Sequence, residues 1–401
     1  MKRYITGVMA WMVAFLFSSC ISDIKDGTTD IDSWPNTVGE EYMLTKVTHP
    51  GILHTTKSIE RMREIVKTAN ANSNAYKTYL NMQNDSRAKA TYAMQGPFEY
   101  VSRDDSQWKY TKGAFENDCS AAYLNALMWC VTQDEAHAQK ANEILLAYAN
   151  KLKGIPASND RPLQVGLQGF HLICATEMLS STWDKMSADD LNKIKEMFKN
   201  IFLPVMKEFY EAKPYTNGNW GVIITKAYLA YAILTDDVDL FNDGINFFFY
   251  GNDNGTLPNY ISETGQCQES GRDQGHVQLG IGGVAAICEV AHSQGIDLYG
   301  ALDNRLMKGY EYAARYNLGY DDLPFTKWQD VTGKYSNWGS MGSQARGQFR
   351  AIYAMGYNHY VNRKGLSMPN TKEVVTTKLP IEGYDADNVG YGTFQFCEKD
   401  F

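Results

Sequence analysis

The chain has 401 residues, enough for one large domain or two ordinary ones, and its 44% apolar and 13% aromatic content suits a large packed core and excludes a disordered chain. A formal charge of −8 excludes a general nucleic-acid-binding surface, so any anion it binds must meet a local basic pocket. Seven cysteines are too few for a disulfide scaffold, and without CxxC or HExxH spacings no metal or cofactor is expected.

Met1–Cys20 reads as a targeting segment. Lys2 and Arg3 form a charged start, and Ile5 to Phe17 is an apolar run shorter than the ~20 residues of a membrane span. Leu16-Phe-Ser-Ser-Cys20 resembles a bacterial lipoprotein cleavage site with Cys20 as the lipidated residue; an ordinary secretory signal is the competing reading. Removing residues 1–19 takes away Lys2 and Arg3 and lowers the charge to −10. Residues 20–45 are polar and read as a tether, and residues 46–401 as a single domain with a short irregular tail. The expected protein is exported and lipid-anchored in the periplasm or on the outer-membrane surface. It meets the membrane only through that lipid, and a monomer is favoured.

From Lys57 onward helical periodicity dominates. Phe115 to Val131 reads as a helix, and Thr132-Gln-Asp-Glu135 as a capping box opening the next. Cys119 and Cys130 share the first of these, ~16 Å apart by the helical rise, so they cannot pair. Leu163 to Leu179 follows, and Ser187 caps a helix bearing Leu191, Ile194 and Phe198. Trp220 to Leu234, Leu240 to Tyr250, Gln274 to His292, Leu302 to Tyr316 and Gln344 to Asn362 continue the series. Strand-like alternation appears weakly at Lys372 to Leu379 and in the tail. No strict repeat is present, which argues against a solenoid. The pattern is all-α, a run of helical hairpins.

Chemistry concentrates in Glu269-Ser-Gly-Arg-Asp-Gln-Gly-His276. If this stretch opens a helix, Arg272 and His276 stand at i and i+4 with Asp273 and Glu269 beside them. The bland reading is a pair of salt bridges at a helix start. The glycines at 280, 282 and 283 weaken a helix interior and leave room for a close neighbour. Asn217-Gly-Asn-Trp-Gly221 precedes an apolar helix, where free amides favour an anion; an Asn cap is the bland alternative. Asp297-Leu-Tyr-Gly300 puts Tyr299 in a turn between helices. Phe115-Glu-Asn-Asp118 is a fourth polar helix start. Trp129 and Trp338 could stack on sugar rings, with core packing the safer reading of each.

These stretches, with Asp303-Asn-Arg305 and Tyr357-Asn-His-Tyr360, together resemble the alginate-lyase superfamily of polysaccharide lyases, most closely the branch classed as polysaccharide lyase family 38. The similarity runs from about His49 to Met368. It implies an incomplete (α/α) toroid and β-elimination on a uronic-acid polymer, most of all alginate and its poly-mannuronate. The partner is then an anionic polysaccharide. Such a reaction needs the substrate carboxylate neutralised so that its C5 proton becomes acidic, a base to remove that proton and an acid for the leaving O4. Carried over, Asn219 neutralises the carboxylate, and His276 is the second neutraliser or the base. Arg272 and Gln274 bind or polarise the carboxylate, with Trp220, Glu269 and Arg305 as further substrate contacts. A tyrosine usually supplies the acid in these lyases, often directly after the histidine. Here that position is Val277, so Tyr299 is preferred over Tyr310 and Tyr312.

Three alternatives stand beside this reading. One is a lyase on glucuronan or another uronate polymer. Another is a glycoside hydrolase on the same architecture, using Glu269 or Asp273 with Asp118. The third is a non-catalytic glycan-binding lipoprotein.

Overall fold

A computed structural model describes residues 38–158, 160–212, 216–328 and 330–400. Cys20, the signal segment and most of the tether lie outside the described residues. Short connections between long apolar helices force neighbours to run antiparallel, and the described chain alternates inner and outer helices accordingly. After α1 (Thr56–Thr68) and α2 (Asn74–Asn84), the hairpin α3 (Lys112–Thr132) and α4 (Glu135–Lys151) opens the ring. It continues through α5 (Arg161–Leu163), a π-helical stretch (Gln164–Gly169) and α6 (Phe170–Thr182), then α7 (Ala188–Met197) and α8 (Leu203–Ala212). Next come α9 (Gly218–Leu234), α10 (Val238–Tyr250), the short α11 (Leu257–Tyr260), α12 (Gln274–Ser293) and α13 (Ala301–Asn317). The remainder is short: α14 (Tyr353–Tyr357), α15 (Pro369–Glu373) and α16 (Gly392–Gln395).

Helices α3, α6, α9 and α12 pack side by side as an inner layer, with α4, α7, α10 and α13 against their outer faces. This is an (α/α) toroid. The inner helices are apolar on every side, as buried helices must be: α9 is buried from Val222 to Leu234. Among the described residues ten tyrosines, including Tyr123, Tyr228 and Tyr353, lie wholly inside. The glycines of α12 serve close approach: a Cβ on Gly280 would strike Tyr260, and one on Gly283 would meet Val222 of α9 at 2.6 Å. Among the described residues the only β pairing is two isolated bridges, and no helix is long and apolar enough to cross a membrane.

Some boundaries differ from the sequence reading. Thr132 bonds back to Met128 O, and Asp134 caps α4 instead. Ser187 caps α7 through the Asp190 amide as expected. Residues 344–352 are turns and loop, with the Gln344 and Gln348 carbonyls and the Arg350 amide bonded to α12. The alternation at 372–379 is helical, α15 running into a π-helical stretch (Val374–Lys378) with Val374 and Val375 buried.

Inner helices running the same way bring their N-termini to one end of the ring. The opposite end is strapped by residues 38–55. Gln294, just past α12, exchanges bonds with Thr48 and Gly51. His49 bridges Glu177 on α6 (3.1 Å) and Asp236 beyond α9 (3.0 Å). The bond to Glu177 is the largest influence on the imidazole and, with Asp236, raises its pKa against the effect of burial. A raised folded pKa stabilises the fold fully below the ordinary value of 6.5, and this contribution is lost as pH rises through the folded value. The melting temperature gap between wild type and His49→Ala should therefore be wide at pH ~6 and narrow by pH ~8.5. A pH-independent gap would contradict the strap's ionic character.

Candidate active site

Residues 266–276 fold around one buried carboxylate. Glu269 is fully buried in a turn closed by Arg272 N on Glu269 O at 2.8 Å. Its Oε1 accepts from Arg272 Nη1 at 2.8 Å; its Oε2 accepts from Tyr260 OH at 3.1 Å and from the Asn219 backbone N–H at 3.3 Å. Gln268 Oε1 accepts from Gly218 N at 2.9 Å. The amides that open α9 are thus engaged by this loop. The anion that the helix start attracts is the protein's own Glu269. Burial raises the Glu269 pKa, against the Arg272 guanidinium, His276 and the Tyr260 hydroxyl.

Helix α12 begins at Gln274, as the periodicity predicts. Asp273 is its N-cap, with Oδ1 accepting from His276 N at 2.8 Å, so Arg272 precedes the helix instead of sharing a face with His276. Asp273 Oδ2 lies 2.7 Å from His276 Nδ1. That contact places the ring proton on Nδ1 and leaves Nε2 as the nitrogen able to exchange protons. Burial alone would raise the Asp273 carboxyl; the bonds from the His276 ring and amide, with Arg272 nearby, outweigh it and hold the pKa below the usual range.

The Glu269 turn joins three expected residues. Arg272 binds its carboxylate, Asn219 donates a backbone amide to it, and His276 acts on it electrostatically. The His276 side chain is 39% exposed and that of Arg272 30%. Asn219 is 1% exposed with Oδ1 buried and unpartnered, an uncommon state for a native amide and one that a ligand group would relieve. Trp220 beside it is partly exposed.

Four expected residues are corrected. Tyr299 is wholly buried, donates to Glu289 Oε2 at 2.8 Å and stacks on His359 at 3.7 Å. Glu289 stands 13 residues after His276 on α12, roughly 20 Å along the axis. Burial, with Glu289 beside it, raises the Tyr299 pKa well above 10, the opposite of activation. Glu269 is no substrate contact, being enclosed by its three donors. Gln274 is 1% exposed and is used up in binding Gly342 O and Asn317 Nδ2. Arg305 turns to Ile261 O at 2.9 Å and Glu263 at 3.9 Å and is held there.

The other tyrosines considered are structural: Tyr310 OH bonds Ile352 O and Tyr312 OH bonds Pro324 O. Asp118 is buried and accepts from Tyr92, Tyr148 and the Gln95 and Gly96 amides, so it forms no hydrolase pair. Trp129 bonds Thr182 between helices.

The sequence reading missed the C-terminal supports. Arg350 holds Asp385 at 2.5 Å and Asp387 at 2.8 Å, and reaches Gly275 O at 3.5 Å in the first turn of α12. Lys226, two turns beyond Asn219 on the same face of α9, donates to Asp387 O at 3.1 Å; burial lowers its pKa to about 8. These partners come from distant loops, and no local spacing signals them.

The alginate lyase family model matches residues 61–322, about two thirds of the chain and all of the inner layer through α12. The chain belongs to the alginate lyase family. It is a polysaccharide lyase, as the motif order implied. No curated protein matches it. Among solved structures, alginate lyase A1-III from Sphingomonas species A1 is 12% identical with a TM-score of 0.61, covering 88% of this chain and 100% of that one. An alginate lyase from Bacteroides ovatus is 14% identical with a TM-score of 0.57 over 88% of this chain and 100% of that one. A variant of A1-III in complex with a tetrasaccharide is 13% identical with a TM-score of 0.63 over 89% of this chain and 98% of its own. At such identities these likenesses establish the shared toroid.

Proposed function

We propose that this lyase cleaves alginate, with poly-mannuronate favoured, by β-elimination at the N-terminal end of the inner helices. Arg272 and the Asn219 amide neutralise the C5 carboxylate so that negative charge can build on it in the transition state. His276 Nε2 takes the C5 proton, and Asp273 fixes the ring and stabilises the imidazolium that forms. As the C5–H electrons form the C4–C5 double bond and the C4–O4 bond breaks, the imidazolium returns that proton to the leaving O4. The observation carrying this assignment is the partly exposed His276–Asp273 pair with the Arg272 guanidinium beside it.

Elimination leaves a C4–C5 double bond that absorbs in the ultraviolet. The test is absorbance during incubation with poly-mannuronate, poly-guluronate, glucuronan and pectin. The expected result is absorbance growth on alginate, fastest on poly-mannuronate. Reducing ends appearing without absorbance would mean hydrolysis, and binding without turnover would mean a capture protein.

Export and lipid attachment at Cys20 belong to the same proposal, supported by the pattern of Met1–Cys20. Cys20→Ser should move the protein from the membrane fraction to the soluble one.

A further inference from the structure

Residues 330–342 form a loop clamped at both ends onto the segment that carries the site. At its root, Asp330 accepts from Tyr335 N at 3.2 Å, from Ser336 Oγ at 2.6 Å and from Asn254 Nδ2 at 3.1 Å. Asn254 also donates to Thr216 O at 2.8 Å and accepts from Val331 N at 2.9 Å, which ties this root to the entry of α9. At the far end Gly342 N donates to Ser270 O at 2.9 Å, and Gln274 Nε2 donates to Gly342 O at 2.9 Å. Two glycines allow backbone contact: a Cβ on Gly271 would strike the Trp338 side chain, and one on Gly342 would strike the Arg272 carbonyl. Trp338 is thereby seated beside Arg272. Its indole lies 6.5 Å from the Tyr335 ring at 22°, and both rings stay partly exposed.

A clamped, partly exposed aromatic pair beside an anion-handling arginine suits a sugar ring, whose C–H face meets a π surface at little entropic cost. We propose that Trp338, backed by Tyr335, is the stacking platform for a mannuronate ring in the subsite adjoining the reaction centre. The proposal rests on the polyuronate-lyase reading above. β-D-Mannuronate carries its C1, C3 and C5 hydrogens axially on one face, giving a flat apolar surface. α-L-Guluronate has axial oxygens on both faces and offers no such surface. A ring lying on the indole has its C5 hydrogen covered, so it cannot be the ring deprotonated by His276. The platform therefore holds a neighbour and selects for mannuronate next to the cleaved linkage.

The test compares wild type, Trp338→Ala, Trp338→Leu and Trp338→Phe on poly-mannuronate and poly-guluronate. Leucine keeps apolar bulk on Gly271 without a π face, and melting temperatures check the fold. Loss of the platform should raise KM on poly-mannuronate roughly 5- to 10-fold in the Ala and Leu variants, with kcat within about twofold. KM on poly-guluronate should move less than about twofold, and Phe should recover most of the loss. An unchanged KM on poly-mannuronate, an equal rise on both polymers, or a fall in kcat alone overturns the platform. Electrophoresis of the full chain through gels containing poly-mannuronate separates this from the lyase reading. Retardation of wild type but not of Trp338→Ala, without unsaturated product, sinks the lyase reading and keeps the platform. Turnover with equal retardation of both proteins does the reverse.

Discussion

His276→Ala should lower kcat on alginate by about 10³-fold while leaving the melting temperature within a few degrees of wild type. The ring is 39% exposed and, among the described residues, its close polar contact is Asp273, so few packing interactions leave with it. Asp273 keeps the α12 cap and stays 3.5 Å from Arg272 Nε, which limits the structural cost. Asp273→Asn separates orientation from proton transfer. The asparagine oxygen still caps the helix, but it no longer supplies a carboxylate to hold the ring proton on Nδ1 or to stabilise an imidazolium. An intermediate loss of about 10²-fold in kcat with KM nearly unchanged is expected. Rates from kcat assays under saturating polymer decide the matter. If His276→Ala retains a tenth of wild-type kcat, the imidazole is not the proton acceptor.

The run of helical hairpins was legible because helix formation is local, whereas their closure into a toroid was implied only by the resemblance to the lyase superfamily. Spacing of apolar residues and caps such as Ser187 mark most helices, and an antiparallel hairpin follows from a short connection. The gathering of Asn219, Arg272 and His276 around one turn was legible because two short motifs each carry their own geometry: a glycine-flanked helix entry and an Asp cap that holds its own histidine. Tyr299 failed for a different reason. A turn position implies backbone exposure and says nothing about where the side chain goes, and this ring turns inward onto Glu289 and His359. Glu269 failed because an acid in a motif reads as a ligand when it is the pivot. The support from Arg350, Lys226 and the 330–342 loop depends on closure of the ring, which places residues far apart in sequence around one helix entry.

Glu269→Ala should destabilise the protein by about 3–5 kcal/mol and abolish turnover together. Removing the carboxylate leaves the Arg272 guanidinium, the buried Tyr260 hydroxyl and the Asn219 amide without their common acceptor. The first keeps only the longer contact to Asp273 at 3.5 Å, and the other two are buried donors left dry, the costliest outcome for polar groups. The same pivot connects the ends of α9 and α12, so Asn219 and Arg272 lose their relative placement even in molecules that stay folded. Glu269→Gln tests this directly. Its oxygen satisfies one side of the pivot, while its NH₂ group faces another donor, so about 2 kcal/mol should be lost. The folded Glu269→Gln protein should still turn over alginate far more slowly than wild type, because Arg272 loses its 2.8 Å bond to the charged Glu269 carboxylate and is held only by Asp273. Urea unfolding midpoints for the two variants, read with kcat on the folded fraction of each, decide between a pivot and a bystander. Wild-type midpoints in both would show that the buried carboxylate is a bystander and that α9 and α12 are joined by their packing alone.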